Sequence, residues 1–214
     1  MLLDMRHLQS KSGPVGACKL DAHGNMVMRK ASDIDTLVAH QTACTFGVSA
    51  QQIKAARGDE HLAQFMRAKE VHAHVTTFDE GTFVFAYPFR AYVYHGNGSN
   101  SYSIGKEDEG YFKGSPDDKT VGRGEPSDLL IETSRACAKA IVEEAAKEGI
   151  TLRYYEAHRQ HAKSRRADPG HRPWKAVYVD YVEPVLGLKP RPEHVTRDGL
   201  VIPSIWDNRQ QGKY

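Results

Sequence analysis

The chain has 214 residues, 40% of them hydrophobic and 26% charged, with a formal net charge of +2. That length suits one domain with appended ends and a real core, while the charge is too small to point to nucleic acid and no stretch approaches the roughly 18 apolar residues of a membrane span. Cys18, Cys44 and Cys137 are odd in number, far apart and without a C-x-x-C, which argues against a disulfide framework and against a thiolate zinc site and leaves a reduced chain as the simplest account.

Residues 1–32 are polar, with Gly13-Pro14, Gly16 and Gly24-Asn25 as turn signals, and read as a lead-in with one strand near Asn25–Met28. Asp4, Arg6 and His7 fall where a signal peptide needs an apolar run, so no export signal is visible and the protein is expected to be cytoplasmic as synthesised. Asp35–His40 is a strand by its β-branched and apolar content. Ser49–Arg57 reads as a helix stopped by Gly58, and Asp59–Lys69 as a second one, with Leu62, Phe65 and Met66 at helical spacing. Val71–Thr77 and Phe83–Tyr87 flank a Gly-bearing turn and form a hairpin, which Arg90–Tyr94 can extend. His95–Ser99 is a loop by composition, Tyr102–Gly110 a strand, and Tyr111–Pro126 a surface loop rich in Gly, Asp, Lys and Pro.

Ser127 can cap a long helix over Asp128–Glu148, closed by Gly149, with Leu130, Ser134, Cys137, Ile141 and Ala145 on one face. Leu152–Tyr155 is a short strand, His158–Arg172 a polar loop and Trp174–Leu186 a last helix. From Gly187 the chain carries Pro190, Pro192 and Pro203 and reads as an extended arm. The division expected is a lead-in over 1–32, a domain over 33–186 and an arm over 187–214. Strands mixed with helices in this order give an α/β fold, a central mixed β-sheet flanked by helices.

Three segments carry residues able to do chemistry. His158 and Asp168 stand ten apart in a polar loop and both reach one ion if the loop folds back, with Pro169-Gly170 fixing a turn after the aspartate. His40-Gln41-Thr42 ends the first strand of the domain, a common position for functional groups. In Ser103-Ile-Gly-Lys-Glu107-Asp-Glu109, alternation puts Gly105, Glu107 and Glu109 on one face. Taken singly, each has a plain structural reading: a polar loop, a hydrogen-bonded histidine, a solvated acidic strand.

In series, these segments resemble the type-2 N-acetylmuramoyl-L-alanine amidases, a family that includes phage lytic amidases, cell-wall recycling amidases and peptidoglycan recognition proteins. The resemblance runs over about residues 35–186, through Leu37-Val-Ala-His40-Gln-Thr42, Ala73-His74-Val with Asp79-Glu-Gly81-Thr, Tyr94-His95-Gly-Asn97, Ser103-Ile-Gly-Lys-Glu107, and His158 with Arg166 and Asp168-Pro-Gly170. It implies the fold of those proteins and a catalytic Zn2+ held by His40, His158 and Asp168, a set that leaves one position open. It further implies Glu107 as the proton-shuttling carboxylate and Arg166 as the cation facing the attacked carbonyl oxygen, where relatives often carry lysine. The substrate implied is peptidoglycan or a muropeptide, cut between N-acetylmuramic acid and L-alanine. His95, Asn97 and Tyr94 are the substrate-groove candidates, in a stretch rich in aromatic and amide groups.

Two departures from the family stand out. Lys106 and Asp108 occupy the opposite face of the Glu107 strand, where relatives are apolar, so either the strand is at an edge or its packing differs. Ala73 stands where some relatives have an active-site tyrosine. Alternative ligands also exist: His72 and His74 as an H-x-H pair, and His161 three residues after His158. His171 reads as solvated. A non-catalytic peptidoglycan-binding module on the same fold is the alternative function. Without an export signal, a lytic or effector enzyme would need a holin or a secretion system to reach the wall. The oligomeric state is not legible in the sequence.

Overall fold

The computed structural model of the chain describes residues 1–8, 16–44, 47–115, 124–192 and 195–209. Its frame is a seven-stranded sheet made from β1 (Leu2–Asp4), β2 (Thr36–Gln41), β3 (Val75–Thr77), β4 (Phe83–Phe85), β5 (Ser103–Asp108), β6 (Tyr154–Ala157) and β7 (Lys189–Pro190). The strands run in the order β1-β4-β3-β5-β2-β6-β7. Only the hairpin β3–β4 is antiparallel, with Gly81 at φ +95 in its turn; the other pairs are parallel. This is the expected mixed sheet with helices. Every residue of β2 and β5 is buried, as parallel strands covered on both faces require.

Helix α1 (Ala50–Ala55) starts at Ser49, whose hydroxyl accepts the Gln52 N–H in a capping box. Helix α2 (Glu60–Ala68) is capped by Asp59, and helix α3 (Asp128–Lys147) by Ser127. Gly149, at φ +75, ends α3 in a conformation that costs a side-chain-bearing residue energy. The last helix begins as α4 (His171–Pro173), continues as a π-helical run over Trp174–Val182 and closes as α5 (Glu183–Leu186).

Two cores lie on opposite faces of the sheet. Under α3 and the π segment, Leu37, Ala39, Ile104, Ile141, Tyr155, Trp174 and Tyr178 are almost fully buried; burying a Leu or Ile side chain contributes roughly 1.5–3 kcal/mol relative to exposure. Trp174 stacks on Tyr178 with ring centroids 5.2 Å apart. On the other face Phe65, Ala68, Phe78, Val84, Tyr87 and Val93 pack beneath α2.

Described residues toward both ends of the chain join this body. Residues 1–32 supply β1, core residues Ala17 and Cys18, and the buried Arg29. Asn25–Met28 forms isolated bridges, Leu20 to Met26 and Met28 to Ala91, in place of a strand. Beyond residue 187, β7 pairs with β6, and Leu188, Ile202 and Trp206 are buried. The hairpin's first strand starts at Val75, because Lys69–Val71 is a 3-10 turn and His72 takes φ 53. Part of the Tyr111–Pro126 loop, 116–123, lies outside the described residues.

Lys106 and Asp108 are explained by packing, not by an edge. β5 sits between β3 and β2, and Lys106 is fully buried. Its Nζ donates to Asp108 Oδ1 at 2.5 Å and to Ser134 Oγ on α3 at 2.7 Å, while Ser134 Oγ donates to Asp108 Oδ2 at 3.0 Å. Ser134, in the stripe read as the apolar face of α3, closes this network.

Candidate metal centre and active site

Parallel pairing of β2, β5 and β6 brings the chemistry together at their C-terminal ends. His40 on β2 pairs in register with Glu107 on β5. Alternation puts both on the sheet face away from α3, with Val38 and Gly105. His158 opens the 3-10 turn His158–Gln160 that follows β6. Asp168 follows a second short turn, Lys163–Arg165.

Gln41 fixes the aspartate loop to β2. Its backbone N–H donates to Asp168 Oδ1 at 2.8 Å, its Nε2 donates to Ala167 O at 3.0 Å, and its Oε1 accepts from the Phe112 N–H. One Asp168 oxygen is thereby held, and the other turns into the site. His40 Nδ1 lies 2.9 Å from His158 Nδ1, and His158 Nδ1 lies 3.0 Å from Asp168 Oδ2. His40, His158 and Asp168 are buried and offer donor atoms all within 4.8 Å of one another.

That donor set fits a divalent ion. Zn–N and Zn–O bonds of about 2.0–2.1 Å put tetrahedral donors roughly 3.3 Å apart, close to the observed spacing. Two imidazole nitrogens facing each other at 2.9 Å cannot both carry hydrogens. Burial first, and the nearby His158 second, hold His40 well below the usual histidine range, so it is neutral with one ring nitrogen unprotonated.

Glu107 stands beside this group with Oε2 buried and without a hydrogen-bond partner among the described residues. Burial pushes its carboxyl well above the usual range; Asp168 adds to the rise, and Arg165 opposes it. A glutamate raised toward neutrality is suited to taking and giving a proton.

The aspartate loop carries two neighbouring cations, Arg165 and Arg166. Arg165 acts electrostatically on both Glu107 and His40 and lines a recess of about 90 Å³ with Gln41, Tyr111 and Asp168. Arg165 and Arg166 are both exposed, and the Arg166 backbone carbonyl accepts a hydrogen bond from Arg159. Tyr111 also borders a larger cleft of about 620 Å³, lined by Asp79, Glu109, Phe112, Glu125 and Leu130 among others. Glu109 accepts from the Gly47 and Asp79 N–H groups and so ties loops at that cleft.

The other candidates are dispersed. His95 is buried behind His40, not exposed on a loop, with Nδ1 3.1 Å from His40 Nε2. Tyr94 and Asn97 are exposed but line neither recess. His72 lies before β3 and is not one of the three grouped side chains. His74 accepts the Gly105 N–H at Nδ1 and reaches Ala91 O with Nε2. His161 pairs with Glu156 at 3.3 Å, and His171 starts α4 half-buried. Gln41 and Arg165 went unassigned in the sequence. The His-Gln-Thr segment contains the first, but its role depends on a loop more than a hundred residues away.

This is the fold of amidases and peptidoglycan recognition proteins. N-acetylmuramoyl-L-alanine amidase LysC from Clostridium intestinale superposes with a TM-score of 0.51 at 14% identity, over 88% of this chain and 99% of that one. Bumblebee PGRP-SA gives 0.54 at 14% identity over 90% and 99%, and Drosophila PGRP-LB gives 0.51 at 13% over 92% and 98%. Residues 30–171 match the sequence profile of the N-acetylmuramoyl-L-alanine amidase family Amidase_2, and the chain belongs to that family. No curated protein sequence matches it.

Proposed function

We propose that this protein is a zinc-dependent N-acetylmuramoyl-L-alanine amidase, hydrolysing the amide between N-acetylmuramic acid and L-alanine in peptidoglycan or muropeptides. The observation that carries the reading is the buried convergence of His40, His158 and Asp168 beside Glu107, whose Oε2 has no hydrogen-bond partner among the described residues. Three protein ligands of an open zinc site are in place, two imidazoles and a carboxylate, which favours a catalyst over a binding module.

His40 Nδ1, His158 Nδ1 and Asp168 Oδ2 would hold the ion. When bound, zinc supplies Lewis acidity and makes water nucleophilic near neutral pH. Glu107 takes a proton from the attacking water and delivers it to the L-alanine nitrogen as the carbon–nitrogen bond breaks. The muramoyl carbon gains the water oxygen and leaves as a carboxylate. Arg166, with Arg165 beside it at the rim of the recess, supplies positive charge to the carbonyl oxygen as negative charge builds there. The cleft beyond Tyr111, with carboxylates at Asp79, Glu109 and Glu125, is the place for the stem peptide.

Mass spectrometry of products from purified muropeptides tests this. Zinc-loaded protein should release stem peptides with free L-alanine amino ends; chelated protein should release none, and added zinc should restore cleavage. Retention on peptidoglycan with no new amino ends would overturn the catalytic reading in favour of a binding module.

A further inference from the structure

We infer that His95 and Ser103 are positioning residues for the metal centre: hydrogen bonds running from Ser99 through Ser103 and His95 set the tautomer of His40 and leave its Nδ1 lone pair free for an ion. This deepens the proposed function and rests on the metal role given there to His40.

The direction of the chain is set at its far end. Ser103 Oγ lies 2.7 Å from the Ser99 carbonyl oxygen, which can only accept, so the hydroxyl hydrogen points there. The same Oγ lies 3.2 Å from His95 Nε2. With its hydrogen committed, the hydroxyl meets the ring with lone pairs, so Nε2 carries the His95 hydrogen. A neutral imidazole has one N–H, so His95 Nδ1 is an acceptor. It sits 3.1 Å from His40 Nε2, which therefore donates. The His40 hydrogen is thus on Nε2, and Nδ1 is bare on the side facing His158 and Asp168. No ring changes charge in this scheme.

The surroundings lock the relay. A Cβ on Gly105 would stand 2.5 Å from a His95 ring carbon, so glycine there lets the ring lie against β5. Asn100 Oδ1 accepts the N–H groups of His95 at 3.0 Å and Gly96 at 2.7 Å, holding the loop. The Ser-Ile-Gly segment thus serves the site twice: Ser103 orients the His95 ring and Gly105 makes room for it. Partners of this kind behind a metal-bound histidine are typically worth 10–100-fold in metal affinity.

Two measurements test the inference, and neither needs amidase turnover. Ring ¹⁵N NMR of the metal-free wild type should show the hydrogen on Nε2 of both His40 and His95; a His40 hydrogen on Nδ1 would overturn the relay. Zinc affinity, by competition with a chelator, should fall about 10–100-fold in His95→Phe. His95→Gln, whose amide oxygen can still accept from His40, should stay within a few-fold of wild type. A folded His95→Phe protein that binds zinc as tightly as wild type would overturn the positioning role. Zinc binding with these tautomers but with muropeptides left intact would overturn the amidase reading alone. A wild type with no zinc affinity would overturn the metal role on which both stand.

Discussion

Glu107 and the two arginines of the aspartate loop give the sharpest expectations for single residues. Glu107→Gln should retain zinc and fold but lose about 10²–10⁴-fold in turnover, the range for removing a general acid–base group; steady-state rates with metal content measured alongside decide it. Arg165→Ala together with Arg166→Ala should lower kcat while zinc content stays unchanged, because the pair removes the positive charge proposed to face the carbonyl oxygen. An unchanged kcat would remove that role. His74 sets a pH dependence of stability. Burial holds it well below the usual histidine value of 6.5, so the unfolded chain binds its proton more readily. Its contribution is present above 6.5 and is lost as pH falls toward the folded value. Thermal midpoints of metal-free protein should therefore drop on acidification below that value, with a flatter slope in His74→Gln. At this scale the ordered motifs led to His40, His158 and Asp168, and strand alternation gave the face of Glu107. The direction of the Arg166 side chain was not legible, because side-chain direction in an irregular loop is not encoded in spacing.

Among the elements, β5 carries the feature least expected of a central strand. Lys106, Asp108 and Ser134 satisfy one another beneath α3. Lys106→Met should destabilise the fold by about 3–5 kcal/mol, because it leaves a buried carboxylate unpaired. Lys106→Met with Asp108→Leu should recover most of that loss; denaturant titration of both variants checks it. α3 was readable because its Ser127 cap, its apolar stripe and Gly149 are local signals. β1 and β7 were not, since Leu2–Asp4 and Lys189–Pro190 are too short for a periodic pattern and form only where β4 and β6 offer partners. The final helix was readable as a helix over Trp174–Leu186, but its π-helical run was not, since that hydrogen-bond shift leaves no mark in the apolar pattern.

Across the whole molecule, the three proposed ligands come from distant parts of the chain, so an ion binding them ties β2 to the loops after β6. Zinc at a hundred times its dissociation constant should add about 2.7 kcal/mol to stability, and a chelator should remove it. A thermal midpoint unchanged by both would show that the folded state has no site for the ion. The architecture was legible as a mixed sheet from the order of strands and helices. The burial of Arg29, Ile202 and Trp206 was not, because it depends on contacts with elements distant in sequence. The most direct test of the account is an anomalous difference map at the zinc edge from crystals grown with zinc. The account predicts one peak bonded to His40 Nδ1, His158 Nδ1 and Asp168 Oδ2, with Glu107 beside it and not bound. A peak elsewhere, or none at full zinc occupancy in solution, would contradict it.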